Sequence, residues 1–319
     1  MTPPGSSPGS SPGSSSAAAG HFADRLLAAC DAKGAPVCVG LDPVFAKLPA
    51  VLREMHAGDP VAAIESFCAG VIWAVAEHVP AVKPQMACFE RYGPAGVAAF
   101  FRIVEEAKRC GLLVVADCKR GDIGTSSDHY AHAYFADEAT RCDALTINSY
   151  LGADGMQPMI DRAAATAAGV FALVRTSNPG GDALQGLRLA DGRTVGEAVA
   201  DMVAAAGAGH VGASGYSSVG AVVGATKPAD AVELRKRMPQ QLFLVPGYGA
   251  QGGGADDVRA CFNPDGRGAL ITASRSVIYA FDKTVANDAS GGGGDWTSAV
   301  EAAALALKED IAGILQEKN

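Results

Sequence analysis

The chain has 319 residues, 49% of them hydrophobic and 19% charged, with 26 Lys and Arg against 34 Asp and Glu for a net charge of −8. That composition supplies a sizeable core and excludes disorder of the whole chain, and the acidic balance argues against broad nucleic-acid binding, which needs a basic footprint. No apolar run approaches the roughly 20 residues that span a bilayer, so small-molecule chemistry is expected, with no nucleic-acid or membrane partner.

Residues 1–20 are rich in Ser, Gly and Pro, with Gly-Ser-Ser-Pro recurring at period four. Such a segment cannot bury a core and is expected to be a disordered tail, leaving 21–319 as one folded domain. No basic residue precedes Arg25 and no apolar stretch resembles a secretory signal, which makes the cytoplasm the expected compartment. The eight cysteines contain no Cys-x-x-Cys pair and read as buried thiols in a reducing compartment.

Past the tail, short Val/Ile/Leu/Ala-rich runs alternate with longer Ala-rich helical patterns. The runs end near Leu41, Lys83, Lys119, Asn148, Val174, Gly224, Val245 and Thr272, spaced 21 to 50 residues apart, which brackets the length of a βα unit. Eight units suggest an α/β fold of the closed (β/α)8 TIM-barrel kind, although an open doubly wound sheet also alternates strand and helix. Polar residues collect at the strand ends: Asp42, Lys83, Asp117 with Lys119, Asn148 and Ser177. In a barrel those ends share one face, where active sites form. A Gly-rich stretch at 289–294 reads as a surface loop, followed by a last helix over about 296–315.

The segment from Leu112 to Gly124 carries the most chemistry. Strand alternation puts Leu113, Val115, Asp117 and Lys119 on one face and Val114, Ala116 and Cys118 on the other. A carboxylate and an ammonium then point inward together, either as a structural ion pair or as catalytic machinery. Asp122 lies beyond the strand, where local geometry cannot place it beside Lys119 of the same chain.

The segment Asp117-Cys-Lys119-Arg-Gly-Asp122-Ile-Gly resembles the Asp-x-Lys-x-x-Asp signature of the orotidine 5′-phosphate decarboxylase family. In the same order, Val39-Gly-Leu-Asp42-Pro, Val82-Lys83-Pro-Gln, Thr176-Ser177-Asn-Pro-Gly-Gly, Val245-Pro-Gly-Tyr-Gly-Ala-Gln251-Gly-Gly and Ala273-Ser-Arg275-Ser resemble its first, second, fifth, seventh and eighth strand motifs. The long form of these motifs resembles the bacterial subgroup called type 2, including mycobacterial members, and coverage runs from about Phe22 to the C-terminus.

The resemblance implies decarboxylation of orotidine 5′-monophosphate to UMP and carbon dioxide, the last step of de novo UMP biosynthesis, without metal or organic cofactor. It implies a homodimer with shared sites, in which Lys83, Asp117, Lys119 and the partner's copy of Asp122 form the catalytic centre and Lys119 protonates pyrimidine C6. Asp42 and Lys83 match ribose contacts, and Ser177 matches a contact to the pyrimidine edge. Gln251 matches a residue reaching from the base toward phosphate, and Arg275 the phosphate's cationic partner. Backbone amides around Gly252, Gly253 and Ser274 would supplement it. Where many relatives have Ser-Thr after Asp-Ile-Gly, this chain has Thr125-Ser126, so Ser126 takes the place of the partner-chain hydroxyl on ribose. The segment around 246–254 reads as a lid.

Other readings are weaker. Gly247-Tyr-Gly-Ala-Gln-Gly252 is a literal G-x-G-x-x-G, but it lies late in the chain and lacks a following strand that ends in an acid. His129 and His132 have no nearby ligand set for zinc, and Ser214 lacks the Gly-x-Ser-x-Gly elbow of a hydrolase. A sugar-phosphate decarboxylase using the same barrel with magnesium, and a nucleotide-binding barrel without catalysis, are the remaining alternatives.

Overall fold

The computed structural model describes residues 20–225, 227–248, 255–282 and 295–316. Residues 1–19 of the expected tail, the proposed phosphate-contacting Gln251, Gly252 and Gly253, most of the expected lid, and the loop at 291–294 lie outside the described residues.

Eight parallel strands close into a barrel in sequence order: β1 (Val37–Leu41), β2 (Ala81–Pro84), β3 (Leu113–Arg120), β4 (Ala144–Ile147), β5 (Gly169–Arg175), β6 (Ser217–Val223), β7 (Gln241–Pro246) and β8 (Ala269–Ala273). β8 pairs with β1, with Cys38 opposite Thr272, which closes the ring. Closure excludes the doubly wound sheet, and with it the dinucleotide reading of the Gly247 motif. Every strand ends within one residue of the expected position.

Each strand is buried on both faces, so its two sets of side chains enter different cores. Val37, Val39, Val82, Val114, Ala116, Leu145 and Ile147 face the surrounding helices, against Phe67, Phe100 and Phe135. Cys38, Ala81, Val115, Ala144, Phe171, Leu242 and Leu270 fill the barrel interior.

The helix Phe22–Lys33 closes the floor of that interior. It buries Phe22, Ala23, Leu26, Leu27 and Cys30 against the inward-facing residues, and the Phe22 ring meets Phe171 edge to face at 5.9 Å. With the N-terminal end stoppered, the opening lies at the C-terminal ends of the strands. The helix Trp296–Gln316 lies where the last helical pattern was expected and buries Val300, Ala304, Leu307, Ile311 and Ile314. All eight cysteines are free, and no described helix is long and apolar enough to cross a membrane.

Candidate active site

The period-two alternation that builds the interior also builds a cavity of about 320 Å³ at its open end. Lys83 lies two residues beyond Ala81, Asp117 two beyond Val115, Thr146 two beyond Ala144 and Thr272 two beyond Leu270, so each points inward one layer above an apolar neighbour. Leu173, Val222, Leu244 and Pro246 complete the ring. Strands β2–β4 therefore contribute charge and hydroxyl, whereas β5–β7 contribute an apolar wall.

Asp117 is the hub of the polar half. Lys83 Nζ donates to its Oδ2 at 2.6 Å and Lys119 Nζ to its Oδ1 at 2.5 Å. Gln85 Nε2 adds a bond to Oδ2 and Thr146 Oγ1 one to Oδ1, both at 3.1 Å. Burial pushes the Asp117 carboxyl upward, but Lys83 and then Lys119 outweigh it and hold the group down at about 2. Burial opposes the Lys83 charge, yet the carboxylates of Asp117 and Asp42 raise it above the usual lysine value. The Lys83 and Asp117 side chains are only 8% and 9% exposed, whereas that of Lys119 is 46% exposed, making Lys119 the cation of this trio most open to a ligand.

The route by which Lys119 reaches this face differs from simple alternation. Between Ala116 and Arg120 the register with β4 slips, four steps on β3 matching two on β4, and Lys119 takes a left-handed backbone with φ of 50°. Non-glycine residues adopt this conformation rarely.

Removing Asp117 would leave the Lys83 ammonium buried and short of its closest counter-charge. Asp117→Ala is expected to lower stability at neutral pH by about 3–5 kcal/mol, measured by urea unfolding. Because the folded carboxyl titrates below its ordinary value of 3.8, its contribution is fully present above that pH and is lost as the pH falls through about 2. The deficit of the variant should therefore narrow over that acid range and stay constant from mildly acidic to neutral pH.

Other expected residues surround the mouth. Ser177 lines the cavity with Thr176 and Asn178. Gln185 fixes this loop, accepting from the Thr176 amide and donating to the Thr176 hydroxyl, both at 2.9 Å. Arg175 in turn holds Gln185 and pairs with Asp182 and Asp230. A Cβ on Gly224 would lie 2.9 Å from the Ser177 Cα, so the end of β6 approaches that loop closely only as glycine.

Across the barrel, a Cβ on Gly40 would lie 1.9 Å from Ser274 Oγ and 3.4 Å from Asp42 Oδ1, which brings Ser274 and Asp42 together over β1. Asp42 Oδ1 is buried without a protein partner. Arg275 is exposed beside Ser274 and has no ion-pair partner among the described residues. These three residues stand outside the cavity lining.

Asp122 and Ser126 also stay outside the cavity of their own chain. Asp122 Oδ1 accepts from the neighbouring Ile123 amide at 2.8 Å, and Ser126 is exposed on the helix Gly124–Phe135. His129 and His132 are exposed on that same helix, and no group of three or more His, Cys, Asp or Glu side chains arranged for a metal occurs among the described residues. Ser214 lies just before β6, its amide bonded to Asp24 of the floor helix, at the end opposite the cavity.

Sequence reasoning missed Thr146 and gave Gln85 no role. For Thr146 the available signal was a lone hydroxyl in the apolar run Ala144-Leu-Thr-Ile.

The family model described as "Orotidine 5'-phosphate decarboxylase / HUMPS family" matches residues 35–289. An orotidine 5′-phosphate decarboxylase of Rhodopirellula baltica is 44% identical over 304 residues, covering 92% of this chain and 99% of that protein. One of Streptomyces coelicolor is 40% identical over 259 residues, covering 81% and 89%. Among solved structures, the OMP decarboxylase of Leishmania donovani superposes with a TM-score of 0.72 at 31% identity, covering 93% of this chain and all of that one.

Proposed function

The chain belongs to the orotidine 5′-phosphate decarboxylase / HUMPS family, and from that premise we propose how its residues act on the substrate. The reaction is conversion of orotidine 5′-monophosphate to UMP and carbon dioxide, a step of pyrimidine biosynthesis.

The observation that carries the residue assignment is the Lys83–Asp117–Lys119 array, its Lys83–Asp117 pair buried and its Lys119 open to the cavity, facing an apolar wall. A planar pyrimidine fits between the two halves, its uncharged face on Leu173, Val222, Leu244 and Pro246 and its C6 toward the charges. The C6–carboxylate bond breaks, carbon dioxide leaves, and the electron pair stays on C6. The Lys119 ammonium stabilises that pair and then gives it a proton, so the carbanion becomes the C6–H of UMP. Asp117, held ionised by its two lysines, fixes Lys119 and lies near the departing carboxylate, where like charges repel. Preorganised charge in a dry cavity carries the larger share of the acceleration.

Asp42, with its unpartnered buried oxygen, and Lys83 are assigned to the ribose hydroxyls, and Ser177 to the pyrimidine edge. Ser274 and Arg275 are assigned to the phosphate, a dianion suited to the guanidinium fork. Gln251, Gly252 and Gly253 are assigned to the same end from the family motif. Asp122 and Ser126 are assigned to the site of a second copy. In support, Ile123 and Leu151 are exposed apolar side chains that meet beside the Asp122 carbonyl at Gly155, the kind of surface a homodimer covers. The proposed folded unit runs from 21 to 319 and acts in the cytoplasm.

Loss of orotate-ring absorbance on incubation with orotidine monophosphate tests the activity. Full turnover is expected after exhaustive chelation with EDTA, since no step above uses a metal. Activity on orotidine monophosphate that disappears with EDTA and returns with magnesium would refute the cofactor-free mechanism.

A further inference from the structure

We propose that Thr146 is a positioning residue of the decarboxylation, its hydroxyl setting both the backbone of Lys119 and the carboxylate of Asp117. The inference rests on the catalytic roles assigned above to those two side chains.

The slip between Ala116 and Arg120 takes the amides of Cys118 and Lys119 out of the regular ladder with β4. Unpaired buried amides are costly, and here one side chain replaces the missing acceptors. Thr146 Oγ1 accepts from Cys118 N and from Lys119 N, both at 3.0 Å. Its single proton goes to Asp117 Oδ1 at 3.1 Å, a shorter contact than the 3.5 Å to the Ala116 carbonyl. A hydroxyl has one donor and two acceptor lone pairs, and all three are used.

Thr146 is 1% exposed and lines the cavity beside Asp117. Its Cβ branching restricts χ1, so the oxygen has little freedom to leave. The bond to Lys119 N falls at the residue with φ of 50°, so the hydroxyl stabilises the backbone turn that brings Nζ back over Asp117. The bond to Asp117 orients the same carboxylate oxygen that Lys119 grips. One hydroxyl thereby fixes the origin and the target of the Lys119 side chain.

The test compares Thr146→Val, which keeps the shape and deletes the hydroxyl, with Thr146→Ser and Thr146→Ala, all beside wild type and Lys119→Ala. Thr146→Val and Thr146→Ala should lose roughly 10- to 100-fold in kcat, with UMP affinity by calorimetry and KM little changed, because phosphate and ribose contacts lie elsewhere. Thr146→Ser should recover most of kcat.

A Thr146→Val variant with wild-type kcat overturns the inference, as does a Thr146→Ser variant as impaired as Thr146→Ala. Loss of UMP affinity parallel to the loss of kcat would indicate a merely structural role and overturn it too. Should Thr146→Val fail to fold, the Ser and Ala pair decides. An active Lys119→Ala would instead refute the catalytic assignment itself, so the two failures are distinct.

Discussion

Lys119→Ala is expected to lower kcat by about 10,000-fold at saturating orotidine monophosphate. General acid catalysis is commonly worth about 100- to 10,000-fold, and one preorganised donor facing developing charge about 100- to 1,000-fold. Both roles fall here on one Nζ. No other member of the trio can substitute, because Lys83 is 8% exposed and committed to the other carboxylate oxygen. Losses of groups that act together do not simply multiply, so the upper end of the larger single contribution sets the expected scale.

The same geometry separates this variant from Asp117→Ala. Truncating Lys119 leaves Asp117 bonded to Lys83, Gln85 and Thr146, and the lost side chain was half exposed, so the unfolding midpoint in urea should move little. UMP should still bind. A variant within tenfold of wild type by the absorbance assay would remove Lys119 as proton donor.

The barrel and the centre of its site were legible in the sequence because both follow from local rules. A strand reveals itself by an apolar run, its end by the first polar residue, and inward orientation by counting in twos. Lys83 and Asp117 needed nothing more, whereas Ser177, in the loop after β5, took its role from the family motif. Lys119 was reached for an incomplete reason: alternation put it beside Asp117, whereas a register slip and a left-handed residue achieve the contact. Thr146 was illegible because its role exists only relative to that slip, and register between β3 and β4 is set by packing across the sheet. Arg175 was hidden for a related reason. Its partners Asp182, Gln185 and Asp230 come from the segments that follow β5 and β6, and no local spacing brings them together.

Asp122 raises a question of assembly that activity in a mixture of subunits can answer. Its side chain turns back on the Ile123 amide and is not part of the cavity of its own chain, although a catalytic role is proposed for it above. If Asp122 serves the partner's site, Asp122→Ala should be crippled by about 1,000-fold, the scale of losing one charge from a preorganised array. Co-expression with Lys119→Ala should then restore activity from two inactive parents. In a mixed dimer, the Asp122→Ala subunit keeps its own Lys119 and receives an intact Asp122 from its partner, giving one wild-type site; the other site carries both defects. With random pairing about half of the dimers are mixed, so about one quarter of wild-type activity per site is expected. A site built within one chain predicts the opposite, since every site in the mixture would keep a single defect and activity would stay at the level of the parents. Differently tagged chains, purified through both tags, enrich the mixed dimer and should raise the recovery toward about one half. No recovery in that doubly tagged fraction would exclude the shared site.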